Sequence, residues 1–411
     1  MGFIEEMRHR GLIAQITHED EFSSHLDTGV RSGYVGFDPT ADSLHVGHLL
    51  PIMTLSRWQK AGHRAIAVMG GGTAMVGDPT GKTDMRRMMT PDIIDRNIES
   101  FRKQVSPLLD LSSPEKGVIL NNGDWLRSLN YLDFVREIGS QFSVNRMLTA
   151  ECFKARLEKG LSFLEFNYML LQAFDYLHLF RKEGCTVQLG GDDQWSNILA
   201  GADLIRRFAS QQAYCLTTPL LTTPDGRKMG KTEAGAVWLD PDKTSPYDYF
   251  QFWRNVDDSM VGSCLRYFTF LDMAQIRDLE SKQGKDLNQS KEELAFACTA
   301  IVHGEDEASR ARTAAKQLFS GGGQGGGNEP IVHVNSADLT AGLPLLDFLA
   351  QANICATKSE AKRLVQQGGI TIGKHKVNDI KYLIGVSDFE DGSDCLLRKG
   401  KKHYYRLRIS D

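Results

Sequence analysis

Apolar residues along the chain follow two alternating spacings. Short, mostly apolar runs at residues 33–37 (G-Y-V-G-F), 65–69 (A-I-A-V-M), 186–189 (T-V-Q-L) and 216–221 (L-T-T-P-L-L) read as buried strands. Between them apolar residues recur every three to four positions. Leu49, Ile52, Met53, Leu55 and Trp58 predict a helix straight after the first strand, with Pro51 near its start. Residues 161–180 predict a second strong helix, and residues 3–31 also read as helices. Residues 92–159 are mostly helical, broken at Ser112-Ser113-Pro114.

Strands alternating with helices predict an α/β fold, a doubly wound parallel sheet over residues 1–222. The stretch at about 90–160 then reads as a helical insertion between its two halves. Residues 223–319 hold a basic loop followed by helical periodicity, an all-α domain. Residues 320–330 read S-G-G-G-Q-G-G-G-N-E-P, a flexible linker taken to run to 340. Residues 341–411 read as a small α+β domain: two helices, a stop at Gly368-Gly369, and a hairpin at 370–374.

Charge sharpens this division. The net charge of −4 is unremarkable, but residues 341–411 carry twelve Lys/Arg against eight Asp/Glu. A basic final domain on an acidic body predicts an appended polyanion-binding module. The seven cysteines are scattered and never in C-x-x-C spacing, which argues against a disulfide framework and against a zinc site, and no metal site is expected. A reducing cytoplasm fits that usage. The N-terminus is acidic without an apolar core, and no run of 18 apolar residues occurs, so neither a signal peptide nor a membrane span is expected.

Three stretches carry candidate chemistry. Residues 36–48, G-F-D-P-T-A-D-S-L-H-V-G-H, join the first strand to its helix and place His45, Gly47 and His48 at the helix start. Backbone N–H groups there attract anions, and glycine lets a phosphate approach. Residues 190–195, G-G-D-D-Q-W, close a second strand with glycines and acids, a ligand crevice in outline. Residues 225–232, D-G-R-K-M-G-K-T, are a basic loop. G-D-P-T-G-K-T at 77–83 is not a P-loop, because three residues rather than four separate Gly77 from Gly81.

Other positions support two readings each. Tyr34, Gly36 and Asp38 face one way on their strand, and Tyr34 is either core or pocket. Tyr168, Gln172 and Asp175 share one helix face, either a polar pocket wall or a partly exposed side. Lys82 and Arg86 are phosphate ligands on a loop or a solvated basic segment.

The stretch at 36–48 resembles the first signature of the class I aminoacyl-tRNA synthetases, H-I-G-H, and most closely their tyrosyl branch. Lys228-Met229-Gly230-Lys231-Thr232 resembles the second, K-M-S-K-S, with both lysines kept. The likeness runs through nearly the whole chain. It implies activation of tyrosine by Mg-ATP as substrate, with no tightly bound cofactor, then transfer to tRNA(Tyr). By resemblance, Tyr34 and Asp175 hold the phenol, and Asp78, Tyr168 and Gln172 hold the α-ammonium. Gly36, Asp38, Gly47, His48, Gly191, Asp193, Gln194 and Lys231 would bind ATP. Thr40, His45, His48, Lys82, Arg86, Lys228, Lys231 and Thr232 would stabilise the departing pyrophosphate. The resemblance also implies a homodimer, a helical domain near the anticodon stem and a small RNA-binding last domain. Three rivals remain: an adenylyltransferase sharing the H-x-G-H core, a tryptophanyl relative, and a non-catalytic RNA-binding scaffold.

Overall fold

Six strands order the first part of the chain: β1 (Gln15–Ile16), β2 (Ser32–Phe37), β3 (Arg64–Met69), β4 (Gly117–Asn121), β5 (Cys185–Gly191) and β6 (Tyr214–Thr218). They form one sheet in the order β1-β6-β5-β2-β3-β4. β2 pairs in parallel with β3 on one side and β5 on the other, so the winding reverses at β2. β1 is antiparallel to β6 at one edge. The computed structural model describes residues 2–80, 89–224, 226, 229–232, 235–320, 331–352, 354–355, 357–373, 375–389, 394–400 and 403–410.

The helices that matter for the site are α1 (Phe3–His9), α2 (Val46–Lys60), α3 (Pro91–Val105), α4 (Tyr168–Glu183), α5 (Trp195–Ala209) and α6 (Val261–Phe268). α3 opens with Pro91 at its first position and buries Ile94, Ile98, Phe101 and Val105, four residues on one face. α4 stops at Gly184, whose left-handed conformation (φ 60°) closes the helix. Pro51 sits within α2, which nevertheless runs unbroken to Lys60.

Several expectations need correction. Residues 3–31 are not helical throughout, since β1 lies among them. The stretch at 90–160 is not a purely helical insertion either. It contains β4, which pairs in parallel with β3 in the main sheet. β4 has only three central apolar residues, too short a run to stand out beside longer helices. The strong helix at 161–180 divides at Asn167 into Phe163–Phe166 and α4. The linker ends by 330, because Ile331–Asn335 is a strand of the last domain; residues 321–330 lie outside the described residues.

The chain divides into two compact units, Met1–Thr244 with Phe252–Val302, and Ser245–Gln251 with His303–Asp411. The helical stretch 223–319 is therefore no unit of its own. The reason lies in two buried arginines. Arg10 donates to the carbonyls of Arg266, Thr269 and Leu271 (3.2, 3.3 and 2.8 Å), and Arg57 of α2 to those of Arg266 and Thr269 (3.3 and 2.7 Å). Those of Arg266 and Thr269 close α6 and have no helical donors left, and that of Leu271 lies just beyond it. Burial and the adjacent Arg10 pull the Arg57 guanidinium down to about 9, against the opposing pull of Glu6.

In the second unit, strands Ile331–Asn335, Ile370–Ile372, His375–Val377, Asp394–Lys399 and His403–Ser410 form a five-stranded sheet. The hairpin expected at 370–374 is present as the first antiparallel pair. Helices Leu345–Gln351 and Lys358–Gln366 share a core with this sheet, built on Leu349, Ala361, Val365, Ile370 and Leu407.

Candidate functional site

The carboxyl ends of β2 and β5 open into a cavity of about 530 Å³. A crevice at this point is expected where a doubly wound sheet reverses. Tyr34 and Gly36 of β2 and Asp38 just past its end line it, together with Tyr168, Gln172 and Asp175 of α4. Asp78, Gly191, Asp193 and Gln194 line it too, as do Thr40, His45, Gly47 and His48. The polar face of α4 is thus a pocket wall and not an exposed side. Lys82, Arg86 and Lys228 lie outside the described residues. Lys231 and Thr232 are described as backbone only, in the short strand Lys231–Thr232.

At the floor, Asp175 is buried and accepts hydrogen bonds from Asn122 Nδ2 (2.8 Å) and Trp125 Nε1 (2.7 Å). Burial pushes its carboxyl up to about 7, against the pull of those two donors, and the Asp38 charge adds to the push. Tyr34 is 2% exposed, and its hydroxyl has no hydrogen-bond partner among the described residues. Burial, then the Asp175 charge, raises that phenol well above its usual range. Two amide oxygens lining the cavity, Gln172 Oε1 and Gln188 Oε1, are also buried with no hydrogen-bond partner among the described residues. Gln188 is the register neighbour of Tyr34 across β2 and β5. Each unmade bond costs about 1–3 kcal/mol, so three converging on one cavity mark a site built for a polar ligand.

Above the floor, Asp38 accepts from the Thr73 hydroxyl (2.7 Å) and the Tyr168 hydroxyl (2.9 Å). Asn122 ties this cluster to the floor by donating to Thr73 Oγ1 (3.0 Å) as well as to Asp175. Asp78 accepts from the Thr80 N–H (2.9 Å) and from Gln194 Nε2 (2.9 Å). Among the described lining residues the charged side chains are Asp38, Asp78, Asp175 and Asp193. Such a wall attracts an ammonium; phosphates require cations from elsewhere.

The mouth is formed by the start of α2. His45 is its N-cap: Nδ1 accepts from the Gly47 N–H (3.0 Å), while His48 Nδ1 accepts from the His45 N–H (3.1 Å). An accepting Nδ1 carries no proton, so each neutral ring bears its hydrogen on Nε2 as a donor. The rings lie 4.0 Å apart. Gly36 faces the cavity with nothing within 4 Å of where a Cβ would stand, so its lack of a side chain leaves room for a ligand. Gly230 meets this mouth directly. Its φ is +87°, and a Cβ there would come 3.2 Å from Val46 Cβ and 3.3 Å from the Gly47 nitrogen.

A family model described as tRNA synthetases class I (W and Y) matches residues 28–320. Another, the tyrosine–tRNA ligase SYY-like C-terminal domain, matches residues 328–407. A tyrosine–tRNA ligase of Clostridium botulinum (strain 657 / Type Ba4) is 54% identical over 404 residues, covering 98% of each chain. The chain belongs to the class I tRNA synthetases, in their tyrosine–tRNA ligase branch. The synthetase of Clostridium tetani is 52% identical, again over 98% of both chains. A crystal structure of a C-terminally truncated mitochondrial tyrosyl-tRNA synthetase from Aspergillus nidulans shares the synthetase fold. Its TM-score is 0.69 at 31% identity, covering 77% of this chain and 94% of that one. The tyrosyl-tRNA synthetase of Archaeoglobus fulgidus, complexed with L-tyrosine, shares the fold at TM-score 0.58 and 20% identity.

Within this synthetase site, sequence reasoning missed Thr73, Asn122, Trp125 and Gln188. A glutamine inside the buried run T-V-Q-L is a signal in hindsight, because an amide in a buried strand must find a partner. Asn122 and Trp125 gave none: they follow the overlooked β4, so nothing placed them near α4.

Proposed function

We infer that the chain catalyses tyrosine activation by ATP and transfer of the tyrosyl group to tRNA(Tyr). The observation that carries this is the buried, unpartnered Tyr34 hydroxyl beside the buried Asp175 carboxylate. A phenolic O–H donates to the carboxylate and accepts from Tyr34, giving the Tyr34 hydroxyl the bond it lacks and the carboxylate a further donor. An indole N–H accepts nothing and would leave the Tyr34 hydroxyl unpaired. At the other end the α-ammonium of the substrate has three donors for Asp78, Tyr168 and Gln172.

In the first step the substrate carboxylate oxygen attacks the α-phosphorus of Mg-ATP, and pyrophosphate leaves. No side chain becomes covalently bonded. His45 and His48 offer Nε2–H donors at the helix start, and Thr40 its hydroxyl, where charge builds on the departing phosphates. Lys82, Arg86, Lys228 and Lys231 supply the positive charge that the described wall lacks, and Thr232 a hydroxyl. Asp38, Gly36, Gly47, Gly191, Asp193 and Gln194 border the nucleotide. In the second step the ribose hydroxyl of the terminal adenosine attacks the tyrosyl carbonyl carbon and AMP leaves. The enzyme gains its rate by positioning and by charge placed where the transition state needs it.

The last domain, net basic, contacts tRNA phosphates. The chain works as a homodimer. Leu132 (75% exposed) and Phe163 (69%) leave apolar surface on the helical region between β4 and α4 that a second copy would cover. A cytoplasmic place fits free, buried cysteines throughout and described helices too short or polar to cross a membrane.

Pyrophosphate exchange measured with each of the twenty amino acids tests this reading. Exchange with tyrosine alone is expected. Exchange with tryptophan, or with no amino acid, refutes it.

A further inference from the structure

Thr40 and His45 sit on the loop that joins β2 to α2, outside any strand or helix until the His45 cap. Catalysis by positioning requires this loop to be held, and α3 holds it at both ends. Asn97 Nδ2 donates to the Pro39 carbonyl (3.0 Å). Gln104 Oε1 accepts from the Leu44 N–H (2.9 Å) and the Ser43 hydroxyl (3.2 Å). The two amides are seven residues apart, so they project from one side of α3, separated by about 10 Å of helix. Pro39 and Leu44 bracket Thr40 and lead into His45.

Between the two amides α3 also meets the second histidine: the Phe101 ring lies edge-on to His48, 5.9 Å between centroids. Asn97 is buried on a face otherwise made of Ile94, Ile98, Phe101 and Val105. An amide on such a face destabilises the helix packing unless it is hydrogen-bonded, and its Nδ2 bond goes to the loop. Thr73 and Tyr168 hold Asp38 where the loop leaves β2, and further along the bond from Lys243 to Asp42 at 2.8 Å is exposed and contributes little.

We infer that Asn97 and Gln104 are positioning residues for adenylate formation: α3 is a splint that sets Thr40 and His45 against the departing pyrophosphate. The inference rests on the tyrosine-activating reading. It concerns placement of transition-state groups, so it predicts a loss in kcat without a matching loss in substrate affinity.

The test is pyrophosphate exchange by the full chain with tyrosine and ATP. Gln104→Met keeps the side-chain length and removes the acceptor. It should lower kcat by about tenfold or more, with both KM values within about twofold, since small misplacements cost up to about a hundredfold. Gln104→Glu keeps acceptor oxygens and should return kcat to within about threefold of the parent chain. Asn97→Ala should mimic Gln104→Met, and decides the matter if Gln104→Met does not fold. Unchanged kcat in both Gln104→Met and Asn97→Ala overturns the inference. So does a Gln104→Glu variant as slow as Gln104→Met, or a loss confined to KM. A parent chain that shows no exchange with tyrosine refutes the functional reading instead, before any variant is compared.

Discussion

Replacing Tyr34 by Phe separates a pocket tyrosine from a core one. The ring is 2% exposed and packs at 5.4 Å from Tyr176, so Phe fills the same space. In the free protein the hydroxyl makes no bond among the described residues. Its removal therefore relieves part of a cost of about 1–3 kcal/mol, and the melting temperature should hold or rise by a few degrees. With tyrosine bound the same change deletes one hydrogen bond, about 0.5–1.5 kcal/mol, or roughly 2–10-fold in kcat/KM. Phenylalanine has no hydroxyl to lose, so its kcat/KM should hold or rise. Pyrophosphate exchange with both amino acids gives the ratio directly, and calorimetry gives the stability. The ratio of tyrosine to phenylalanine should fall by at least that roughly 2–10-fold factor. An unchanged ratio with a melting temperature lowered by several degrees would place Tyr34 in the core and refute the reasoning.

Other consequences follow from the same geometry. Asp175 has a carboxyl raised to about 7. From about pH 4, its unfolded value, up to about 7, the folded chain keeps a proton that the unfolded chain has lost. Its share of stability therefore falls as pH rises through that window. A bound phenol favours the charged form, so tyrosine affinity should increase with pH up to about 7, and calorimetric binding across pH 5–8 should show this slope vanish in Asp175→Asn. Gly230→Ser puts a side chain at φ +87° against Val46 and the Gly47 nitrogen. The strain of about 1–2 kcal/mol should slow exchange by roughly 5–30-fold with little change in melting temperature, and a fully active variant would show that this docked arrangement is not the working one. Deleting residues 331–411 removes a domain with its own core. Exchange should stay within about twofold while tRNA charging falls at least about tenfold at moderate salt, and an equal loss in both assays would contradict the division of labour.

The first signature stretch and the switch-point crevice were legible because both depend on local pattern. A strand ending in Gly and Asp, followed by a helix start with His-x-Gly-His, needs only the chain neighbourhood to be recognised. The reciprocal bonds between His45 and His48 are local in the same sense. The linker boundary and β4 were not legible. Gly117–Asn121 is half-buried and short, and Ile331–Asn335 is a strand only because it pairs with His403–Ser410, about seventy residues away.

By itself, then, the amino-acid order determined where a helix start with two histidines and a glycine follows a strand, which segments alternate as strand and helix, and where charge accumulates at the end of the chain. These follow from spacing, turn residues and composition, all set within a few positions of one another. Tertiary structure alone decided that Asn122 joins Asp175 to Thr73, that Arg10 and Arg57 bind the end of α6 to the sheet domain, and that α3 grips the Thr40 loop at both ends. Those bonds link residues dozens to hundreds of positions apart, where no periodicity carries information. Burial, which makes each bond worth forming, exists only once the chain has closed around it.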